Sequence, residues 1–142
     1  MVRRIGLAMQ VNMAQANPPK RVLVVEDEML LALDYARALE DWGFVPLGPA
    51  STADEAVATF EREGADAITM DVRLADGSNG IDAARRIAAL SSVPIVFVTG
   101  NADGRSMVAM REIEPLAILP KPLDEPSLRR VLELAFQMTP VT

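Results

Sequence analysis

Short runs of apolar residues, rich in valine and isoleucine, recur along this chain, and each run stops at a polar or turn-forming residue. Runs of this length and composition predict β-strands that are buried on both faces, as in a parallel sheet. The segments between the runs repeat apolar residues at helical spacing, which predicts amphipathic helices. The predicted buried strands span 21–25, 67–70, 95–98 and 116–119.

A further strand is predicted over 45–49, and its prolines limit where it can lie. Pro46 and Pro49 cannot donate backbone hydrogen bonds, so this strand suits only the edge of a sheet. The helix predicted over 102–113 contains Gly104 and few large apolar side chains, so we expect it to pack loosely. The other predicted helices span 28–42, 52–63, 81–90 and 125–138. In the helix over 81–90, helical spacing predicts that Ile81, Ala84, Ile87 and Ala88 face inward.

The alternation of strands and helices decides the fold class. It predicts an α/β protein with helices on both faces of a parallel sheet. Five strands with the second at an edge fit a flavodoxin-like (βα)5 fold, a doubly wound parallel sheet with the strand order 2-1-3-4-5. In such a sheet, binding sites form just outside the carboxyl ends of the strands.

The chain has the length and apolar content of one domain. It contains 142 residues, of which 50% are apolar, and this is enough for a full core. We assign residues 20–138 to the domain, residues 1–19 to a disordered N-terminal tail and residues 139–142 to a C-terminal tail. Alternatively, the N-terminal segment is an over-extended start upstream of Met9 or Met13. We expect no fused output domain after the last helix.

Charge and missing residue types exclude several functions. The net charge of −6 argues against direct binding of nucleic acid. The absence of cysteine and histidine excludes a thiol nucleophile, a Ser-His-Asp triad, a Cys- or His-bound metal and a phosphohistidine within this chain. No apolar run approaches the roughly 18–20 residues of a membrane span. Gln10 and Asn12 interrupt the apolar N-terminus, so we expect a cytoplasmic protein rather than a secreted one.

Polar side chains follow the strands that the pattern predicts. Glu26 and Asp27 follow the first strand, Asp71 follows the third, Thr99 follows the apolar run of the fourth, and Lys121 follows the fifth. We expect these three carboxylates, one hydroxyl and one ammonium group to meet in a single crevice. Clustered carboxylates repel one another unless a cation intervenes, and Mg²⁺ prefers oxygen ligands and bridges to phosphate oxygens. The constellation therefore predicts a magnesium-dependent phosphoryl acceptor.

These residues resemble the receiver domain of two-component response regulators, and the resemblance covers residues 20–138. The stretch 94–101 further resembles the FATGUY subgroup of single-domain receivers. The residues that carry the family resemblance are Glu26, Asp27, Asp71, Thr99, Gly100, Lys121 and Pro122.

The resemblance implies a role for each carboxylate. Asp71 is the candidate nucleophile, because a carboxylate can attack phosphorus and form an aspartyl phosphate. In the family, Mg²⁺ is bound directly by the residues that match Asp27 and Asp71. The residue that matches Glu26 acts through water, and the backbone carbonyl that matches Arg73 completes the set. The plainer alternatives are a turn-capping Asp71 and a solvated acidic pair at a helix start.

The resemblance also implies how the phosphoryl group is held. Thr99 would hydrogen-bond one phosphoryl oxygen, Lys121 would place its charge against another, and the Lys121–Pro122 peptide would be cis. The family often has an aromatic residue where this chain has Ile118, so that part of the family's switch is missing. Arg73, two residues after Asp71, could change the rate of dephosphorylation or pair with Glu26.

The expected function is a phosphorylation-switched signalling module rather than an enzyme. A sensor histidine kinase or phosphotransfer protein would supply the phosphoryl group, and an unidentified downstream protein would read the state through direct contact. A phosphorelay shuttle, a phosphate sink and a degenerate receiver are alternatives, and a homodimer is left open. The enzyme alternative is a haloacid-dehalogenase-like phosphatase. That family places its nucleophile on the first strand with a second Asp two residues on, where this chain has Arg73.

Overall fold

Five parallel strands form one sheet in the computed structural model, which describes residues 18–100 and 103–138. Their spatial order is 2-1-3-4-5, which confirms the predicted flavodoxin-like fold and the edge position of the proline-containing strand. The predicted tails fall mainly on residues 1–17 and 139–142, which lie outside the described residues. The strands are β1 (Arg21–Val25), β2 (Val45–Ala50), β3 (Ala67–Met70), β4 (Ile95–Thr99) and β5 (Ala117–Pro120).

In the part of the chain that the structure describes, five α-helices connect or follow the strands, and their ends differ from the predicted ones by a few residues. The last helix ends at Ala135 rather than at 138, because Gln137 has a φ of 54°, a left-handed conformation that terminates a helix. Within the described ranges, none of the helices is long and apolar enough to cross a membrane. The helices are α1 (Met29–Asp41), α2 (Ala53–Glu63), α3 (Gly80–Ala88), α4 (Gly104–Glu112) and α5 (Glu125–Ala135).

The two faces of the sheet each carry a hydrophobic cluster, because successive strand residues point to opposite sides. Ile68 and Phe97 belong to the cluster that packs against α2, α3 and α4. Val24 and Val96 belong to the cluster that packs against α1 and α5, which also contains Tyr35. Burial on both faces explains why the central strands are mostly apolar.

Two expectations about burial are wrong. The run 116–119 was predicted to be buried on both faces, but β5 is only half-buried because it lies at the sheet edge. In the third helix we expected Ala88 to face inward, but it is exposed. Ala83 takes its place beside Ala84 and Ile87, so the buried face lies nearer the start of the helix.

Helix α4 is expected to open locally more often than α1. Only Met110 is buried in α4, whereas α1 buries Ala32, Tyr35, Ala38 and Leu39. Few buried contacts mean a low local free energy of opening, so α4 amides should exchange roughly tenfold to a hundredfold faster than those of α1. Hydrogen exchange followed by mass spectrometry measures this. Equal protection in the two helices would refute a loosely held α4.

Candidate functional site

A cavity of about 360 Å³ opens where the sheet strands end. It brings together five of the six residues predicted for the site, and Glu26 lies beside it with only 2% of its surface exposed. The prediction that these strand-end residues converge is therefore confirmed. The cavity is lined by Asp27, Glu28, Asp71, Arg73, Thr99, Gly100 and Lys121.

The three carboxylates form a tight cluster. One oxygen from each of Glu26, Asp27 and Asp71 lies within 4.8 Å of the others. The pairing of β1 with β3 creates this proximity, since the Asp71 N–H donates to the Val25 carbonyl at 3.1 Å. Glu26 and Asp71 are buried, while Asp27 is exposed and can reach solvent.

Lys121 links two of these carboxylates. Its Nζ atom lies 2.8 Å from Glu26 Oε1 and 2.8 Å from Asp71 Oδ2. The backbone N–H of Lys121 donates to the Thr99 carbonyl at 3.1 Å, which fixes the residue after β5 against the end of β4. The other oxygen of Asp71, Oδ1, accepts a hydrogen bond of 2.7 Å from the Val72 N–H. Both oxygens of Asp71 are therefore held in place.

Burial and charge shift the pKa values of Glu26 and Lys121 through different balances. Burial raises the pKa of Glu26, and the contact with the Lys121 ammonium group and the hydrogen bond from the Glu28 N–H only partly oppose this. Burial lowers the pKa of Lys121, but the bonds to Asp71 and Glu26 outweigh it, so the net pKa of Lys121 is raised. The ammonium group therefore stays charged at neutral pH.

One buried acceptor of the cluster lacks an ordinary hydrogen bond. Glu26 Oε1 contacts the Lys121 ammonium group as an ion pair but accepts no hydrogen bond of ordinary geometry from the described residues. A buried carboxylate oxygen with so little compensation is unfavourable unless a cation or a donor completes it. The donor set consists of oxygen atoms alone, which fits a hard divalent cation such as Mg²⁺.

A glycine packs directly against the backbone of Asp71. A Cβ atom on Gly80 would lie 1.7 Å from the Asp71 carbonyl oxygen, so no larger residue fits without displacing backbone. The Gly80 N–H also donates to the Val72 carbonyl at 2.7 Å, which closes the β3–α3 loop on itself. From residue type alone, Gly77 and Gly80 both indicate only a turn. Gly77 fits that role with a φ of 66°, whereas Gly80 is required for close approach.

Further features of the site bear on the predictions. The Lys121–Pro122 peptide is cis, as predicted. Ile118 is half-buried and packs against the hydrophobic cluster on the side of the sheet that faces α2, α3 and α4. Glu28 was missed as a cavity residue, although its place directly after Glu26 and Asp27 could have indicated it.

A doubly wound sheet with this acidic, lysine-bridged crevice at its carboxyl edge defines a receiver-type signalling domain. Residues 22–133 match the family model described as the response regulator receiver domain, so the chain belongs to that family. A receiver domain is a phosphoacceptor module and not an enzyme of the usual kind. The haloacid-dehalogenase-like alternative is not supported.

The chain is also similar to individual regulators. It is 36% identical over 122 residues to the transcriptional regulatory protein PdtaR of Mycobacterium tuberculosis, a match that covers 86% of this chain and 59% of PdtaR. The chain thus spans a little more than half the length of that relative. The FATGUY subgroup is not confirmed by these comparisons and stays a prediction.

Solved structures of receiver domains resemble the chain throughout the sheet. The receiver domain of a modulated diguanylate cyclase from Desulfovibrio desulfuricans G20 has a TM-score of 0.78 and 30% identity, covering 84% of this chain and 94% of that one. The receiver domain of the sensor histidine kinase PA1611 from Pseudomonas aeruginosa PAO1 has a TM-score of 0.74 and 28% identity, covering 84% and 98%. That structure contains a magnesium ion coordinated in its active-site cleft.

Proposed function

We propose that the protein accepts a phosphoryl group on Asp71 from a sensor histidine kinase or phosphotransfer protein and signals through contacts with another protein. The observation that carries the proposal is the arrangement around Asp71. Its carboxylate lies in an open cavity, is oriented by Val72 and Lys121, and belongs to a cluster of three acidic groups. A carboxylate held in this way is prepared for attack on phosphorus.

The acidic cluster would hold Mg²⁺, and the receiver domain of PA1611 with its magnesium ion supports this. We assign direct coordination to Asp27 and Asp71, coordination through water to Glu26, and a backbone carbonyl ligand to Arg73. The ion would neutralise charge on the carboxylates and on the incoming phosphoryl oxygens. Asp27, which is exposed, would give the ion its route from solvent.

In the transfer step, one oxygen of Asp71 forms a bond to phosphorus while the bond from phosphorus to the donor nitrogen breaks. The electron pair of that bond stays on the donor imidazole, which carries a proton on its other ring nitrogen and therefore leaves as a neutral group. Thr99 would donate its hydroxyl hydrogen to one phosphoryl oxygen, and Lys121 would move its ammonium group toward another. Catalysis by this chain would be confined to its own phosphorylation and dephosphorylation.

Phosphorylation by a small donor tests the proposal. The wild-type protein is incubated with acetyl phosphate, with Mg²⁺ in one sample and a chelator in the other, and its intact mass is measured. We expect the mass of one phosphoryl group to be gained with Mg²⁺ and none with the chelator. No gain in either sample, under conditions that phosphorylate another receiver domain, would contradict the proposal.

The substitution Asp27→Ala should weaken Mg²⁺ binding by about tenfold or more, since even outer-shell partners change metal affinity on this scale. Calorimetry measures the affinity, and phosphorylation should fall in parallel. Glu28→Ala is the matched control, because Glu28 lines the same cavity but does not belong to the cluster of three. Equal losses in the two variants would mean that bulk negative charge, and not ligation by Asp27, sets the affinity.

The replacement of the family's aromatic residue by Ile118 suggests that Thr99 alone couples the phosphoryl group to the β4–α4 loop. Thr99→Ala should therefore still be phosphorylated but lose the chemical-shift response in α4 and the change in partner affinity. Ile118→Ala should keep that response and lose about 1–3 kcal/mol of unfolding free energy, because Ile118 is half-buried in the core. The opposite pattern, with a normal response in Thr99→Ala and none in a stable Ile118→Ala, would refute the route.

Output by protein contact suits an acidic domain of this kind, and we place its action in the cytoplasm, where the phosphodonor domains of histidine kinases lie. The same site chemistry serves an output regulator, a phosphorelay shuttle or a phosphate sink. These roles differ in the lifetime of the phosphorylated form and in whether the phosphoryl group passes on to a second protein.

A further inference from the structure

Tyr35 carries a buried hydroxyl group without a partner. It is the only tyrosine of the chain, it lies on the inner face of α1, and 5% of its surface is exposed. Its hydroxyl has no hydrogen-bond partner among the described residues. Burying a donor unpaired is unfavourable, because the group gives up its bonds to water and gains none in exchange. Such a group in a native structure calls for an explanation.

Tyr35 faces the same cavity as the lysine of the site. Tyr35 and Lys121 line one cavity of about 510 Å³ between α1 and the segment after β5. The charges of Lys121, Glu26 and Asp71 all act on the Tyr35 phenol, whose pKa burial raises to about 12. The phenol therefore remains a hydrogen-bond donor at neutral pH.

Glu26 carries a buried acceptor that lacks a hydrogen bond. Its Oε1 atom is buried, accepts no hydrogen bond of ordinary geometry and depends on the Lys121 ammonium group at 2.8 Å. If Lys121 turns toward a phosphoryl group on Asp71, Glu26 Oε1 loses this contact. Tyr35, which lines a cavity with Lys121, thus carries an unpaired donor, and Glu26, which contacts the same lysine, carries an acceptor that would lose its partner.

We propose that Tyr35 is a positioning residue for Lys121. The Tyr35 hydroxyl donates a hydrogen bond to Glu26 Oε1 once the Lys121 ammonium group has moved to the phosphoryl group. This inference rests on the proposed function. The exchange keeps the buried carboxylate of Glu26 hydrogen-bonded in both states, and so lowers the free-energy cost of releasing Lys121. The resting state carries the unpaired hydroxyl instead, so Tyr35 biases the equilibrium toward the phosphorylated conformation.

The substitution Tyr35→Phe removes the hydroxyl alone, so its effects on the resting state and on the phosphorylated conformation can be measured separately. The resting protein should unfold at the same urea concentration as wild type or a higher one, because its hydroxyl makes no bond there. Affinity for beryllofluoride with Mg²⁺, a stable mimic of the phosphoryl group, should fall about threefold to tenfold, the scale of one hydrogen bond. Unfolding is followed by circular dichroism and binding by NMR titration.

Thr69→Val is the matched control, since Thr69 on β3 carries another buried hydroxyl without a partner. This variant should leave beryllofluoride affinity unchanged. A label at Cζ of the single tyrosine gives a second readout, and its resonance should shift when beryllofluoride and Mg²⁺ are added to wild type.

Each outcome separates this inference from the function on which it rests. Equal beryllofluoride affinity in Tyr35→Phe and wild type, or an equal loss in Thr69→Val, would overturn the role of Tyr35 and leave the proposed function intact. A resting protein destabilised by Tyr35→Phe would also overturn it, because the hydroxyl would then already be paired. If wild type itself binds no beryllofluoride in the presence of Mg²⁺, the proposed function fails and this inference fails with it.

Discussion

Asp71→Asn should accept no phosphoryl group from acetyl phosphate, while its fold and its cavity remain intact. An amide oxygen is a far weaker nucleophile than a carboxylate, so the bond to phosphorus does not form. The side-chain volume is unchanged, and the bond from Val72 to Oδ1 can persist. Because Glu26 still pairs with Lys121, the unfolding free energy should change by about 1 kcal/mol or less.

Intact-mass spectrometry after incubation with the donor and Mg²⁺ measures this loss. The matched control is Asp76→Asn, because Asp76 is exposed in the same loop and its φ of 66° suits asparagine as well as aspartate. That control should be phosphorylated like wild type. Phosphorylation of Asp71→Asn to the wild-type extent would mean that another residue is the acceptor.

Gly80→Ala should damage both stability and phosphorylation. The added Cβ atom would lie 1.7 Å from the Asp71 carbonyl oxygen and 2.8 Å from its carbonyl carbon, and neither backbone atom can move alone. The β3–α3 loop must shift, which should lower the unfolding free energy by about 2–3 kcal/mol. A displaced Asp71 should also be phosphorylated roughly a hundredfold more slowly, because a misplacement of about 1 Å is enough to slow a reaction on this scale.

Gly77→Ala provides the comparison for this effect. Gly77 has a φ of 66°, but no atom would lie within 4 Å of an added Cβ, so the substitution adds only backbone strain of about 1–2 kcal/mol. Its phosphorylation rate should stay near that of wild type. Urea unfolding and time-resolved intact-mass measurements of both variants decide the matter. A Gly80→Ala protein that is as stable and as reactive as Gly77→Ala would show that the loop can yield without moving Asp71.

The order of the strands could be predicted because local chemistry restricted it. Pro46 and Pro49 confine β2 to an edge, and the alternation of strands and helices then leaves one common arrangement for the rest. The half-exposure of β5 could not be predicted, because an apolar run of this kind does not reveal how many neighbours a strand has. The end of α5 depended on the left-handed conformation of Gln137, which its residue type alone does not indicate.

The residues of the site could be predicted from the sequence, but the contacts between them could not. The carboxyl ends of parallel strands meet at one edge, so polar residues directly after the strands had to converge. The bond between Lys121 and Asp71 joins residues 50 positions apart, and its length depends on the packing of the whole sheet. The close approach of Gly80 and the unpaired hydroxyl of Tyr35 likewise exist only in three dimensions, so the sequence alone could not show them.

The position of the phosphoryl group tests the central claim most directly. Borohydride reduces an aspartyl phosphate to homoserine, so treatment of the phosphorylated protein followed by peptide sequencing locates the modified residue. We expect homoserine at position 71 and at no other carboxylate. Homoserine in place of Asp27, or a phosphoryl group that resists reduction and maps to a serine or threonine, would contradict the assignment of Asp71 as the acceptor.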